Sequence, residues 1–166
     1  MTEPAARRPH MPGYGVEPAD DGMGLLPWQW AVARLTSSHD YWLATTWPDS
    51  RPHVMPVWGV WWDDAFWFSS GLRSRKSLNL AHDARCAVTT DDARNPVILN
   101  GIAERVTDPD TIAGFNDAVN AKYGTSYSVD FYDPAVNGVY RVRAEWAFGV
   151  AEDDFTGSPT RWALRD

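Results

Sequence analysis

Apolar positions along the chain alternate between helical and strand spacing. Trp28, Ala31, Val32 and Leu35 form one stripe after Pro27, a residue suited to a first helical turn, so a helix is expected to run to about His39-Asp40. "YWLATTW" (41–47) reads as a strand and "PDSRP" (48–52) as its turn. "HVMPVWGVWW" (53–62) is apolar at successive positions, the pattern of a strand covered on both faces. Asp63-Asp64 then turns the chain into "AFWFSS" (65–70), which makes a hairpin. Pro56 cannot donate to a ladder, so an edge or a bulge is expected there.

Leu78 and Leu80 belong to a short helix that reaches about Asp83. "RCAVTT" (85–90) and "PVILNGIAERV" (96–106) read as strands across an Asp91-Asp92 loop. Ile112, Phe115 and Val119 repeat at helical spacing, giving a longer helix to about Tyr123; 124–137 reads as loop. "GVYRVRAEWAFGV" (138–150) and "TRWAL" (160–164) complete the strands. Residues 1–24 are rich in proline, glycine and charge and read as a flexible arm ahead of one domain, 25–166. Many strands and few helices favour a mainly β small barrel over a doubly wound sheet.

Composition narrows the setting. A chain of 166 residues can bury its own core. Its net charge of −7 argues against general nucleic-acid binding. No segment approaches ~18 uninterrupted apolar residues and no apolar leader is read, so no membrane span and a cytoplasmic setting are expected. The single cysteine, Cys86, fits a reducing compartment and a packing role. His10, His39, His53 and His82 lack metal-ligand spacing, and no metal site is expected. The ten tryptophans point to a flat-ligand pocket, a large interface, or both. Trp58, Trp61 and Trp62 cannot all point inward, because strand side chains alternate.

Against this acidic background "SSGLRSRKSLNL" (69–80) is a basic turn. Ser74 can cap the following helix, whose first N–H groups and dipole end attract an anion. Arg73, Arg75 and Lys76 add donors at the same place, which makes a phosphate site the simplest reading. The P-loop alternative fails, because Ser70 and Arg75 stand where its glycines are needed. A phosphate site directly after an aromatic strand suits a flavin, although a solvated charged turn would carry the same residues.

"SRPH" leading into a buried strand, then a hairpin, then "SRK" opening a helix, resembles the pyridoxamine 5'-phosphate oxidase-like flavin-binding split barrels, and the order of elements agrees over roughly 27–164. The chain looks most like the actinobacterial branch whose reductases use the deazaflavin coenzyme F-420. The resemblance implies a split β-barrel, a homodimer with cofactor sites at the interface, and coenzyme F-420 or FMN as cofactor. It implies that Arg75 and Lys76 bind phosphate, that Ser69 and Ser70 line the same site, and that Met55, Pro56, Val57 and Trp58 edge the ring. Arg73 lies next to the pair, Arg51 and Arg161 are candidates for further contacts with an acidic tail, and Trp162 with Arg161 could reach the site from the C-terminal strand.

Oxidation of pyridoxamine phosphate itself is not expected. That activity uses an arginine where this chain has Met55, and a C-terminal arginine–histidine grip absent from "SPTRWALRD". His53, at the start of the buried strand, is the one candidate for proton transfer. An oxidoreductase passing a hydride to a small reducible substrate and a non-catalytic flavin or deazaflavin carrier need the same pocket, so the residues leave both readings open.

Overall fold

The computed structural model of the protein describes residues 3–164; positions 1–2 of the expected arm and 165–166 of the expected domain lie outside them. Strands follow the expected runs closely: β1 (Ala5–Arg7), β2 (Asp40–Thr46), β3 (Pro52–Trp62), β4 (Ala65–Gly71), β5 (Arg85–Thr90), β6 (Val97–Val106), β7 (Asn137–Gly149) and β8 (Thr160–Ala163). The helices are α1 (Trp28–Ser37), α2 (Arg75–His82) and α3 (Pro109–Tyr123). The sheet runs β1-β8-β7-β4-β3-β2-β5-β6, and β6 also pairs with β7. That last pairing closes an antiparallel barrel of β2 to β7, with β1 and β8 as an extension along β7.

Alternation fills the barrel from every strand. Tyr41, Leu43, Phe66, Phe68, Val88, Leu99 and Val142 are all fully buried in one cluster. α1 closes one end, where Trp28 meets Trp61 and Trp162 edge-on at 6.0 and 5.5 Å. α2 closes the other end: the Asn79 amide is buried and donates to Thr45 Oγ1 at 3.0 Å. α3 covers the outside of β3, β4 and β7 and buries Val60, Trp67, Phe115, Val119 and Val139 as a second cluster. Asp108 caps its start by accepting from the Thr111 N–H at 2.9 Å, and Gly124, at φ 63°, ends it.

Trp61 thus packs toward the barrel interior, Trp62 lies under α3, and Trp58 is 45% exposed. Asp63 and Asp64, at φ 48° and 54°, form a two-residue loop with both residues left-handed, the twist a tight hairpin prefers.

The arm lies along the barrel. Ala5–Arg7 pairs with β8, a strand that the sequence reading did not contain. The Arg8 guanidinium donates to the carbonyls of Glu17, Pro18, Gly157 and Pro159 at 3.0, 2.8, 2.7 and 2.8 Å. These bonds tie the proline-rich segment to the loop before β8, and no periodicity could have announced them.

Among the described residues no helix is long and apolar enough to cross a membrane. Cys86 is buried, and desolvation pushes its thiol pKa up to about 12. The native chain is therefore expected to resist an aromatic disulfide reagent at pH 8 and to react fully once denaturant is added; rapid labelling of the native chain would contradict this packing.

Candidate functional site

The barrel is split between β3 and β4. These strands pair only from Gly59↔Phe68 to Trp62↔Ala65; beyond that β3 stays with β2 while β4 stays with β7. A V-shaped cleft opens, with Trp58 and Ser69 at its apex and the basic turn at its mouth.

The free edge of β3 follows from its hydrogen bonding. The Gly59 N–H donates to Tyr123 Oη at 2.9 Å, so its backbone groups face the β2 side rather than β4. Alternation then turns the even-numbered residues toward β4 and the cleft. Val54 presents both N–H and C=O there, and Pro56 only its C=O, which is the edge position that proline requires. Trp58 presents its N–H, since its C=O still belongs to the pairing with β4 at Ser69. Met55 and Val57 direct their backbone groups to β2. Val57, which the resemblance puts in the strand that edges the ring, has its side chain buried in the barrel core. Met55 keeps an exposed side chain.

At the mouth, Ser74 caps α2 as expected, accepting from the Ser77 N–H at 3.3 Å. The hydroxyls of Ser70, Ser74 and Ser77 form a chain, with 2.8 Å from Ser70 to Ser74 and 3.2 Å from Ser74 to Ser77. Arg75 stacks over Trp47, its guanidinium carbon 3.7 Å from the ring centroid, and Arg51 lies over the same ring at 4.6 Å. Burial pulls the Lys76 pKa below the ordinary lysine range. Among the described residues no carboxylate pairs with Arg73, Arg75 or Lys76; Arg51 does pair, with Asp49, at 2.8 Å. The cluster thus brings unneutralised cations and hydroxyl donors to a helix start, a donor set suited to a phosphate. His53 stands beside it, Nδ1 3.3 Å from Thr45 Oγ1 and ring edge-on to Trp47.

The C-terminal candidates lie elsewhere. Trp162 is fully buried, its indole N–H donating to the Leu26 carbonyl at 3.1 Å, so it is core and not a cofactor contact. Gly71 pairs with Asn137 at one end of β7 and Arg161 with Phe148 at the other, a separation along the strand of roughly 36 Å at ~3.3 Å per residue. Arg161 therefore does not join the basic turn of its own chain. It stacks on Trp146 at 4.4 Å, beside a cavity of about 370 Å³ that His10 and Phe148 also line.

A cluster at the apex was not visible in the sequence. Lys122 Nζ donates to Tyr41 Oη at 2.7 Å and to the Gly59 carbonyl at 2.8 Å. Tyr123 Oη donates to the His39 carbonyl at 2.7 Å, and its ring stacks on Trp58, 4.3 Å away and 3° from parallel. The end of α3 thereby locks onto the apex of the cleft. Lys122 and Tyr123 are separated in sequence from everything they hold, so local spacing carries no signal of them.

Burial pulls the Lys122 pKa down to about 8, with Asp91 and Asp40 acting the other way. Above pH 8 the folded chain sheds this proton while the unfolded chain keeps it toward 10.5, so this group adds stability as pH rises through that window. Cys86 and Tyr123, whose pKa values are raised, act in the opposite direction. The difference in Tm between wild type and Lys122→Met is therefore expected to grow from about pH 8 to pH 10; a constant difference would place the lysine in a solvated setting.

Residues 29–151 match the pyridoxamine 5'-phosphate oxidase family. Among solved structures, a conserved hypothetical protein from Mycobacterium tuberculosis is 24% identical, with TM-score 0.61, over 81% of this chain and 83% of that one. A protein described as F420 reductase is 23% identical, with TM-score 0.56, over 68% and 90%. A putative 5-nitroimidazole antibiotic resistance protein from Bacteroides thetaiotaomicron is 14% identical, with TM-score 0.64, over 80% and 82%. At these identities the likeness is one of fold. No curated protein matches the chain. The family match over most of the barrel agrees with the split between β3 and β4 and with the order of strands, and the chain belongs to the pyridoxamine 5'-phosphate oxidase family.

Proposed function

We propose that the protein is an oxidoreductase that binds a flavin or deazaflavin in the cleft between β3 and β4 and delivers a hydride to a small reducible substrate. The observation that carries this reading is the unpaired basic cluster Arg73, Arg75 and Lys76 at the mouth of a cleft whose wall is a free strand edge. Arg75 and Lys76 would hold the phosphate, with Ser70 and Ser74 as hydroxyl partners. The edge groups of Val54, Pro56 and Trp58 would meet the polar rim of the ring, and Met55 would exclude water. When bound, the cofactor supplies the hydride and the chain orients the acceptor. His53 would be the candidate for proton transfer near the mouth.

Coenzyme F-420 is favoured over FMN because Arg73, with no carboxylate paired to it among the described residues, adds positive charge beside Arg75 and Lys76 for an acidic tail. The site is proposed to lie at a two-fold interface between copies of the chain. On the outward face of β2 and the first half of β3, Trp42 and Val54 are 46% and 53% exposed.

Titration of the purified chain with coenzyme F-420 and with FMN tests the reading. Tighter binding of coenzyme F-420, weakening with salt, supports it; failure of both to bind overturns it. Steady-state oxidation of the reduced cofactor by enones, quinones and nitro compounds then separates an enzyme from a carrier.

A further inference from the structure

A cavity of about 270 Å³ lies between α2 and the paired ends of β6 and β7, and it shares no residue with the basic cluster Arg73, Arg75 and Lys76. Leu72, Leu80 and Ala103 make its apolar wall, while Ser77, Arg105 and Tyr140 supply its polar atoms. Arg105 and Tyr140 stand opposite each other in the β6–β7 register. Both side chains therefore leave the sheet on one face, with Cβ atoms about 5 Å apart. Tyr140 is 5% exposed and its ring is stacked on Phe68 at 5.0 Å, which holds it in place. Its hydroxyl nevertheless bonds to no described residue.

The polar atoms around the cavity are donors that lack an acceptor. Ser74 Oγ donates to Ser77 Oγ at 3.2 Å, so the proton of the buried Ser77 hydroxyl is left without a use in that chain. The Tyr140 proton is in the same position. Arg105 gives one N–H to the Pro134 carbonyl and keeps others free, and a guanidinium cannot accept. Among the described residues no carboxylate pairs with Arg105. Its neighbour Glu104 is turned to the opposite face of β6, where it holds Arg141 and Arg143. A cation and two buried hydroxyls thus converge on an apolar space with nothing negative in it.

We infer that this cavity binds a small monocarboxylate with a short apolar chain. The two carboxylate oxygens would take the Arg105 N–H groups and the Ser77 and Tyr140 hydroxyls, and the chain would lie against Leu72, Leu80 and Ala103. Inorganic phosphate fits less well, because it has no apolar part to set against that wall. The site is separate from the cofactor cleft and does not depend on the reading given for it.

A proton–nitrogen NMR titration of the full chain tests this with sodium butanoate and its neutral isostere butanamide at fixed ionic strength. Butanoate is expected to shift the amides of Ser77, Ala103 and Tyr140 saturably. Butanamide should bind at least roughly tenfold more weakly, since it brings no charge to Arg105. Arg105→Gln should weaken butanoate roughly tenfold, and Tyr140→Phe several-fold. Arg105 belongs to neither apolar cluster, so its variant keeps the fold, and the spectrum of each variant verifies this. The Arg75→Ala variant should bind butanoate as wild type does; loss of binding there would assign the anion to the basic turn and overturn the inference. So would the absence of a saturable shift in wild type, equal affinity for the two probes, or full affinity in folded Arg105→Gln.

Discussion

Alanine at Arg75 or at Lys76 is expected to weaken cofactor binding roughly 10- to 150-fold while leaving the chain folded. Each residue would give a phosphate a charge-assisted hydrogen bond, worth about 1.5–3 kcal/mol, and every 1.4 kcal/mol is tenfold in affinity. Both lie in the first turn of α2 and would touch one anion, so the double variant should lose less than the sum of the two. The fold should survive because neither side chain belongs to either apolar cluster. Arg75 also rests on Trp47, so Arg75→Lys should recover charge but not the stacked, forked geometry, and only part of the affinity. Titration by fluorescence, beside circular dichroism of each variant, reads both quantities. Unchanged affinity in folded variants would return the turn to a solvated surface feature.

Trp162→Ala should do the reverse, lowering stability before cofactor affinity is even measured. Removing a fully buried tryptophan costs about 3–5 kcal/mol, and this one also leaves the Leu26 carbonyl without its donor. Domains of this size unfold at 5–15 kcal/mol, so the loss is a large fraction of the whole. At ~2–4 °C per kcal/mol, the Tm of the cofactor-free chain should fall by roughly 6–20 °C. A normal Tm with a specific loss of cofactor affinity would reverse the assignment of Trp162 to the core.

The contrast between these two sites marks what the sequence discloses. Arg73, Arg75, Lys76 and the Ser74 cap are neighbours in the chain, and a helix start converts sequence neighbours into spatial ones. The strands were legible for a related reason: period-two patterning and the turns at 48–52 and 63–64 are local. What remained hidden was long-range. Arg161 sits near the end of the chain and seemed free to reach the cleft, but β8 pairs with the half of β7 farthest from it. Trp162 is its immediate neighbour and points to the other face, into the core. Lys122 and Tyr123 look like ordinary residues at a helix end until topology brings Tyr41 and Gly59 beneath them. The resemblance takes Met55 to Trp58 as one run, and alternation along β3 then buries the Val57 side chain and exposes that of Trp58.

Pro56 has one more consequence. The cleft leaves an unpaired strand edge beside exposed Trp42, Val54 and Trp58, the kind of surface on which a foreign strand can add itself and begin aggregation. Between Val54 and Trp58 the proline withholds the middle donor of that edge, so an incoming strand meets a broken ladder. A small flat molecule needs only one or two of these groups and loses nothing by the gap. A proline at this position leaves acceptors for a small molecule while it deters the addition of a foreign strand.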